Sequence, residues 1–167
     1  MPGNRGQITP LEPKSSARKS GPSRTGRPGN RRFGYVSLLG LGVKETSDLL
    51  RQIGKGLPYR SLVHFLDATD LRKEDAITLV RISPRTLSRR KDQGRFKPDE
   101  SDRLVRAAQI FAQALELFEG DLDSAREWLT SAQPALGGST PIEFATTEVG
   151  AREVEALIGR LEHGIPS

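Results

Sequence analysis

An apolar seam in residues 99–119 constrains the fold of this chain more than any other feature. Its five members follow one another at intervals of four, three, four and three residues: Leu104, Ala108, Phe111, Leu115 and Phe118. This spacing places them on one face of an α-helix. Pro98 precedes the segment and Gly120 ends it, as helix start and stop signals do. The seam therefore predicts a long helix that packs into a core, forms a homodimer interface, or does both.

Other segments repeat the helical period. Residues 44–53, 58–68 and 72–80 carry apolar side chains at helical spacing, namely Leu49, Leu50 and Ile53, then Leu62, Phe65 and Leu66, then Ala76, Ile77 and Val80. Further along, Asp123 is expected to cap a helix with Trp128, and Thr147 to cap a final helix. A sustained period-two alternation, which would indicate strands, is missing from the sequence. These patterns predict an all-α fold.

Residues 82–91, ISPRTLSRRK, contain a sharp helix start. Ser83 is a favoured N-cap residue, and Pro84 suits the first helical position, where a backbone N–H is not needed. Ile82 and Leu87 have the spacing of a hydrophobic staple across that cap. Because the preceding helix ends only a few residues earlier, the pair is predicted to form a helix-turn-helix.

In that motif the second helix enters the major groove of DNA. Residues 72–97 hold nine Lys or Arg residues against three Asp or Glu residues. Two alternatives stay open for this strip: a solvated helix face without a ligand, and a DNA-reading helix. The turn at Arg81 and Ile82 has no glycine, which weakens the second. If the helix reads DNA, the expected contacts are Arg85, Thr86, Ser88, Arg89, Arg90, Lys91 and Arg95, with Lys97 extending the strip.

Charge is distributed unevenly along the 167 residues. Residues 1–34 carry eight cationic residues and one acidic residue, residues 35–120 carry fifteen and twelve, and residues 121–167 carry three and eight. This asymmetry predicts two surfaces with different partners. Residues 1–34 are also rich in Gly, Pro and Ser, so they are predicted to be a disordered basic arm. Such an arm is either passive or adds phosphate contacts.

Several classes of protein are disfavoured by the sequence. There are no cysteines, which fits a cytoplasmic protein and leaves out thiolate chemistry. We find no apolar run long enough to span a bilayer and no secretory h-region, so no membrane partner is expected. His64 and His163 are far apart in sequence, and no metal, cofactor or acid–base constellation can be identified. A small hydrolase or transferase is therefore disfavoured, and the chain is predicted not to be an enzyme.

Three stretches in this order carry a resemblance: SPRTLSRR, ESDRLVRAAQIFAQALELFEG and AREWLTSAQPALGGSTPIEFATTEVGAREVEALIGRLEHG. Together they resemble the Xre/MbcA/ParS-type antitoxin family. The resemblance implies an Xre-like helix-turn-helix domain for DNA binding and dimerisation at 35–119, followed by a small helical toxin-binding domain at 120–167. The basic arm at 1–34 falls outside it.

The resemblance also implies partners. Such antitoxins act with a RES-domain toxin that is similar to ADP-ribosyltransferases and depletes NAD⁺, bind their own operator DNA as repressors, and usually form homodimers. The stretch 85–90 matches the recognition helix, whereas Trp128, Gly137 and Pro141 are expected to maintain the toxin-binding fold. Toxin contacts are expected near the C-terminus, at Glu153, Leu157, Arg160, Leu161, Glu162 and Gly164.

We further hypothesise that the acidic final helix and tail, with Glu153, Glu155, Glu162 and the terminal carboxylate, occupy an electropositive NAD⁺ site of the toxin. The alternative function is a stand-alone transcriptional regulator without a toxin partner.

Overall fold

The computed structural model describes residues 34–164, and within that range every regular element is helical. The all-α prediction is therefore confirmed. The predicted basic arm lies outside the described residues except for Gly34, which begins the first helix instead of ending the arm. In chain order the elements are α1 Gly34–Leu38, α2 Thr46–Lys55, α3 Arg60–Thr69, α4 Lys73–Val80, α5 Pro84–Gln93, α6 Pro98–Leu117, α7 Leu122–Thr130, a 3₁₀ turn Pro134–Leu136, α8 Pro141–Phe144 and α9 Glu148–Glu162.

Helix α6 is the central element, and it packs against α1, α2, α3 and α4 as well as against α7 and α9. The seam that predicted this helix faces the core: Leu104, Ala108 and Phe111 are fully buried, and Leu115 and Phe118 are partly buried. The ring of Phe111 meets that of Phe65 edge to face at 6.1 Å. The seam therefore packs mainly inside the chain, and of its five residues only Leu115 and Phe118 stay partly exposed.

The buried side chains form one hydrophobic core that extends from Val36 to Ile158. Contacts other than α6 also join the N-terminal and C-terminal parts. α4 packs against α8, and Arg126 of α7 pairs with Asp70 at the end of α3. Because the two parts share a core, a destabilising change in one is expected to reach the other. The domain boundary at 119/120 remains a prediction.

Two local predictions were wrong. Leu50 was predicted to face inward but is 62% exposed, because Leu49 and Ile53 lie one turn apart on the inner face and Leu50 follows about 100° around the helix. The cap of α7 is Asp121 instead of Asp123, and its carboxylate accepts the N–H of Asp123 at 3.1 Å. The predicted cap at the start of α9 is confirmed, since Thr147 accepts a backbone N–H at 3.1 Å.

Candidate nucleic-acid interface

The turn between α4 and α5 shows how a helix-turn-helix forms here without glycine. Arg81 adopts the left-handed conformation, with φ 54° and ψ 49°. Its N–H donates to the carbonyl of Thr78 at 3.1 Å, and the next N–H, that of Ile82, donates to Ile77 at 3.2 Å. An arginine in this conformation costs roughly 1 kcal/mol that glycine would not. The buried Ile82 side chain and these hydrogen bonds offset that cost.

Helix α5 begins as predicted. Ser83 accepts the N–H of Thr86 at 3.2 Å, and its hydroxyl donates to the Thr86 hydroxyl at 3.0 Å. Pro84 occupies the first turn, and Ile82 and Leu87 are both buried on either side of the cap. The N-cap and the burial of the staple pair are thus confirmed. The start of α5, where base contacts are expected in this motif, is held in one geometry.

We call the exposed side of α5 its outer face, which consists of Arg85, Ser88, Arg89 and Asp92. These positions are spaced by three and four residues, so their side chains lie on one side of the helix. Lys91 is exposed beside this face and Thr86 is half-buried on the other flank. Asp92 was not predicted as part of this face, because the cationic run that indicates DNA binding ends at Lys91, the residue before it.

Arg90 does not belong to the surface, in contrast to the prediction. It is 3% exposed, and its Nε and Nη2 donate to the two carboxylate oxygens of Glu100 at 2.6 and 2.8 Å. Its Nη1 donates to Gln93 at 2.6 Å. Arg90 lies three residues after the buried Leu87, which places both on the inner side of α5. We therefore remove Arg90 from the expected DNA contacts.

The buried pair fixes α5 against α6. Glu100 also accepts the backbone N–H of Lys97 at 2.8 Å, which caps the start of α6. Burial alone would raise the pKa of Glu100, but the hydrogen bonds from Arg90 and Lys97 outweigh it and lower that pKa. The hydrogen bond to Glu100 raises the pKa of Arg90. Both groups therefore stay charged at neutral pH, and the recognition helix is anchored to the core by a bidentate ion pair.

Arg95 lies just beyond the end of α5 and is exposed. Its Nη1 donates to the carbonyls of Lys55 and Gly56, both at 3.0 Å. These bonds fix the position of its guanidinium, and its other N–H groups donate no hydrogen bond within residues 34–164. The remaining predicted contact outside α5, Lys97, is also exposed.

A second exposed surface is the outer face of α9, which we define as Val149, Arg152, Glu153, Ala156 and Arg160. All but the half-buried Arg160 are exposed, and Val149 reaches 74% exposure. The positions recur at helical spacing, and Arg152 pairs with Glu148 at 2.6 Å. The predicted toxin contacts had omitted Val149 and Ala156. Their signal in the sequence was an apolar residue out of phase with the buried seam of α9.

The other predicted toxin contacts divide into two groups. Leu161, Glu162 and Gly164 are exposed near the end of α9. Leu157 is only 2% exposed because it belongs to the inner, apolar side of α9, so it packs in the core and is removed from the expected contacts. Residues 165–167 and the terminal carboxylate lie outside the described residues, as does that part of the tail hypothesis.

The motif residues expected to maintain the fold hold structural positions. Trp128 packs beside Phe118 with ring centroids 6.4 Å apart, and Pro141 is buried at the start of α8. Gly137 has φ 65°, a conformation that other residues adopt at a cost. Gly150 allows close packing, since a Cβ there would lie 1.9 Å from the carbonyl oxygen of Phe144.

The histidines contact backbone. The Nδ1 atom of His64 lies 3.2 Å from the Leu38 carbonyl, and that of His163 lies 2.7 Å from the Gly159 carbonyl. Among residues 34–164 no group of three or more potential ligands could hold a metal ion. Over the same range, no helix combines the length and apolar character needed to cross a bilayer.

Comparison with known families gives two matches, one for each exposed surface. Residues 48–109, which include α5, match the model of the antitoxin Xre-like helix-turn-helix domain. Residues 113–164, which include α9, match the model of the antitoxin Xre/MbcA/ParS C-terminal toxin-binding domain.

Individual proteins match as well. An antitoxin Xre from Photorhabdus laumondii is 37% identical over 116 residues, which cover 69% of this chain and 78% of the relative. An antitoxin Xre from Yersinia enterocolitica is 40% identical over 94 residues, which cover 56% of this chain and 64% of the relative. A third antitoxin Xre, from Pseudomonas putida, is 38% identical over 66 residues, 40% of this chain and 41% of the relative.

Proposed function

Because the chain belongs to the antitoxin Xre family, we propose that it is a non-enzymatic, cytoplasmic antitoxin that binds a RES-domain toxin and represses its own operon. The observation that carries the proposal is that one core presents two separate exposed faces, on α5 and on α9. The outer face of α5 is cationic, and the outer face of α9 combines apolar and charged side chains. One face suits DNA and the other suits a protein.

The DNA-binding part rests on the geometry of α5. Arg85 and Arg89 are exposed, and neither forms an ion pair within residues 34–164. Arginine can form two hydrogen bonds to the edge of guanine, and the major groove admits one α-helix. Arg85 lies in the first turn, which is where base contacts are made in this motif. Ser88, Thr86 and Lys91 are then in position for phosphate or base contacts.

Homodimerisation belongs to the same proposal, because two copies would match an operator with two-fold symmetry. Leu104, Ala108 and Phe111 of the α6 seam are buried within the chain, so a dimer would have to use other residues. Sedimentation of the purified chain, alone and with operator DNA, tests this part. A monomer on a single half-site would contradict it.

The toxin-binding part rests on α9. Its outer face exposes Val149 and Ala156 between charged residues, as interface cores with a polar rim do. The exposed carboxylates Glu153 and Glu162 supply negative charge, which complements a site that binds the phosphates of NAD⁺. The RES class of the toxin follows from the resemblance and is tested directly below.

The test is intracellular NAD⁺ after induction of the neighbouring reading frame, with and without this chain. We expect NAD⁺ to fall with the neighbour alone and to recover on co-expression. The Val149→Asp variant should restore NAD⁺ poorly, because it places a carboxylate in the proposed contact. Val63→Asp is the matched control, since Val63 is also exposed, at 42%, but lies on α3.

Other outcomes have defined meanings. If the neighbour leaves NAD⁺ unchanged, the RES assignment fails. If the neighbouring product also does not bind this chain, the stand-alone regulator is favoured, with α5 as its functional element. If Val149→Asp and Val63→Asp restore NAD⁺ equally well, the outer face of α9 is not the toxin-binding surface.

A further inference from the structure

A basic cleft lies outside the helix-turn-helix, between the start of the described chain and the end of α5. Its volume is about 340 Å³. Among residues 34–164, three cationic side chains and no carboxylate line it: the lining comprises Lys55, Arg60 and Arg95, with Gln52, Pro58 and glycine-rich backbone. A concave site lined by charge of one sign attracts and concentrates ions of the other sign.

The backbone around the cleft ties it to the recognition helix. The N–H of Phe96 donates to the carbonyl of Leu57, and that of Tyr59 donates to the carbonyl of Gly94, each at 2.9 Å. Gly56 makes this approach possible, because a Cβ there would lie 2.0 Å from the Phe96 carbonyl oxygen. The α2–α3 turn is thus clamped against the segment that follows α5, and the cleft keeps a fixed position relative to that helix.

The charges in the cleft are unbalanced. Arg95 is held by the carbonyls of Lys55 and Gly56, so part of its guanidinium satisfies the C-terminal end of α2. The side chains of Lys55 and Arg60 form neither an ion pair nor a hydrogen bond within residues 34–164. Like charges that share a cleft repel one another, and a bound anion relieves that repulsion. The residues present therefore suit an anion with several acceptor oxygens.

We propose that the basic cleft binds a backbone phosphate of the DNA on which α5 docks. This inference rests on the proposed DNA-binding function and adds Lys55 and Arg60 to it. Helix α5 is roughly 15 Å long, with Arg85 in its first turn and Arg95, which lines the cleft, just beyond its C-terminal end. The major groove is about 12 Å wide. A helix that reads bases with its first turn therefore brings the cleft to the distance of a flanking strand.

The experiment measures the salt dependence of binding to a random-sequence duplex. The double variant Lys55→Gln/Arg60→Gln is compared with the wild-type chain and with Arg152→Gln, which removes an exposed charge from α9. Loss of one phosphate contact lowers the slope of log K against log salt by about 1. We expect this decrease in the double variant and an unchanged slope in the control. Affinity for operator and random DNA should fall by the same factor.

A wild-type slope in the double variant would overturn the inference. Arg85→Ala keeps that failure separate from failure of the proposed function, because it should reduce the preference for operator over random DNA. If the wild-type chain binds no duplex, both ideas about DNA fail. Titration with inorganic pyrophosphate then identifies the remaining source: saturable amide shifts at Gly42 and Gly56, absent in the double variant, would mean a site for a free anion and would overturn the DNA assignment.

Thermal unfolding of the double variant controls for folding. Lys55 and Arg60 are both exposed and contribute nothing to the core, so the Tm should not fall below that of the wild-type chain. A second pair of single variants shows whether both cations reach the same phosphate. Lys55→Gln and Arg60→Gln should then each give part of the change in slope that the double variant gives.

Discussion

Helices α5 and α9 each bury one side and expose the other, but their exposed sides differ in charge. Helix α5 carries four cationic residues and one acidic residue, but Arg90 is buried, so its exposed residues carry a net charge of +2. Helix α9 carries two cationic and four acidic residues, for a net charge of −2, and exposes Val149. The exposed arginines of α5 have no ion-pair partners within residues 34–164, whereas Arg152 on α9 pairs with Glu148.

The difference teaches that the two faces suit partners of different kinds. Unpaired cations act over a Debye length, about 8 Å at physiological salt, and favour a polyanion of any sequence before specific contacts form. A face whose charges are partly paired and whose centre is apolar gains little at long range and depends on close contact. These differences support the proposal that one core presents one face for electrostatic docking and one for a fitted protein surface.

The test with the largest expected effect asks whether the C-terminal part, which contains α9, can be destabilised on its own. Gly150→Ala places a Cβ 1.9 Å from the Phe144 carbonyl oxygen, which must move. We expect a loss of roughly 3 kcal/mol in the free energy of unfolding, measured by urea denaturation. Gly159→Ala is the matched control: nothing lies within 4 Å of its Cβ, so it should stabilise α9 by about 0.5–1 kcal/mol.

The same experiment in the N-terminal half uses Gly56→Ala, with Gly54→Ala as its control. A Cβ at Gly56 would lie 2.0 Å from the Phe96 carbonyl oxygen, and its φ of 81° adds strain. The Gly54 position is open. Because the core is shared, both damaging variants should unfold in one transition. Two separate transitions in either variant would show instead that the two halves are independent folding units.

The second test concerns the buried pair that has no counterpart on α9. Glu100→Gln leaves the Arg90 guanidinium buried without its counter-charge, so the Tm should fall by roughly 10 °C or more. Asp102→Asn removes the partner of the more exposed Arg106, an i,i+4 pair, and should change the Tm by no more than a few degrees. Equal effects would mean that the Arg90–Glu100 pair does not anchor α5.

The pH dependence of stability checks the same pair. The pKa of Glu100 is lowered in the folded protein, so its ionised form stabilises the fold above the ordinary value of 4.5, and that stability is lost as the pH falls through the lowered pKa. The free energy of unfolding of the wild-type chain should therefore drop as the pH falls below about 4.5. Glu100→Gln should show a shallower drop over this range. Parallel curves would contradict the assigned shift.

The sequence predicted the elements better than it predicted which side chains are free. Helical period and cap residues are local properties, so the all-α fold and the caps at Ser83 and Thr147 could be predicted and are confirmed. Arg90 was misassigned because its partner, Glu100, lies ten residues away across a turn. A run of cationic residues in the sequence does not reveal which of them is buried. That depends on the residue each one contacts in the fold.

The C-terminal part shows two kinds of error: a buried residue that was predicted as a contact, and an exposed residue that was not predicted. Leu157 was predicted to contact the toxin, but it is 2% exposed and packs on the inner, apolar side of α9. Val149 was not predicted as a contact because one apolar residue out of phase with the buried seam of α9 is a weak signal in the sequence. Its exposure becomes evident only once the neighbouring elements are placed.

The third test separates base reading from phosphate binding on α5. Arg85→Ala and Arg89→Ala should each weaken operator binding by roughly 1–3 kcal/mol if they contact base edges. Fluorescence anisotropy with operator and random duplexes measures the preference. Ser88 lies between them on the outer face, and Ser88→Ala is the control for removal of a neutral side chain. Equal losses on both duplexes would make the two arginines phosphate contacts.

The smallest expected effect comes from the exposed pair Glu148–Arg152 on α9. The Nη2 atom of Arg152 and the Oε1 atom of Glu148 are 2.6 Å apart, closer than in most ion pairs. The Glu148 side chain is nevertheless 61% exposed and the Arg152 side chain 74% exposed. Water screens such a pair, so Glu148→Gln should lower the free energy of unfolding by no more than about 0.5 kcal/mol. Urea denaturation at low and high salt measures it, and the difference from the wild-type chain should shrink at high salt. A loss above about 1 kcal/mol, insensitive to salt, would mean that α9 depends on its surface charges for stability. The charges of α9 would then hold the helix in place, as the buried pair does for α5. The contrast between a charged face on α5 and a closely fitting face on α9 would then no longer hold.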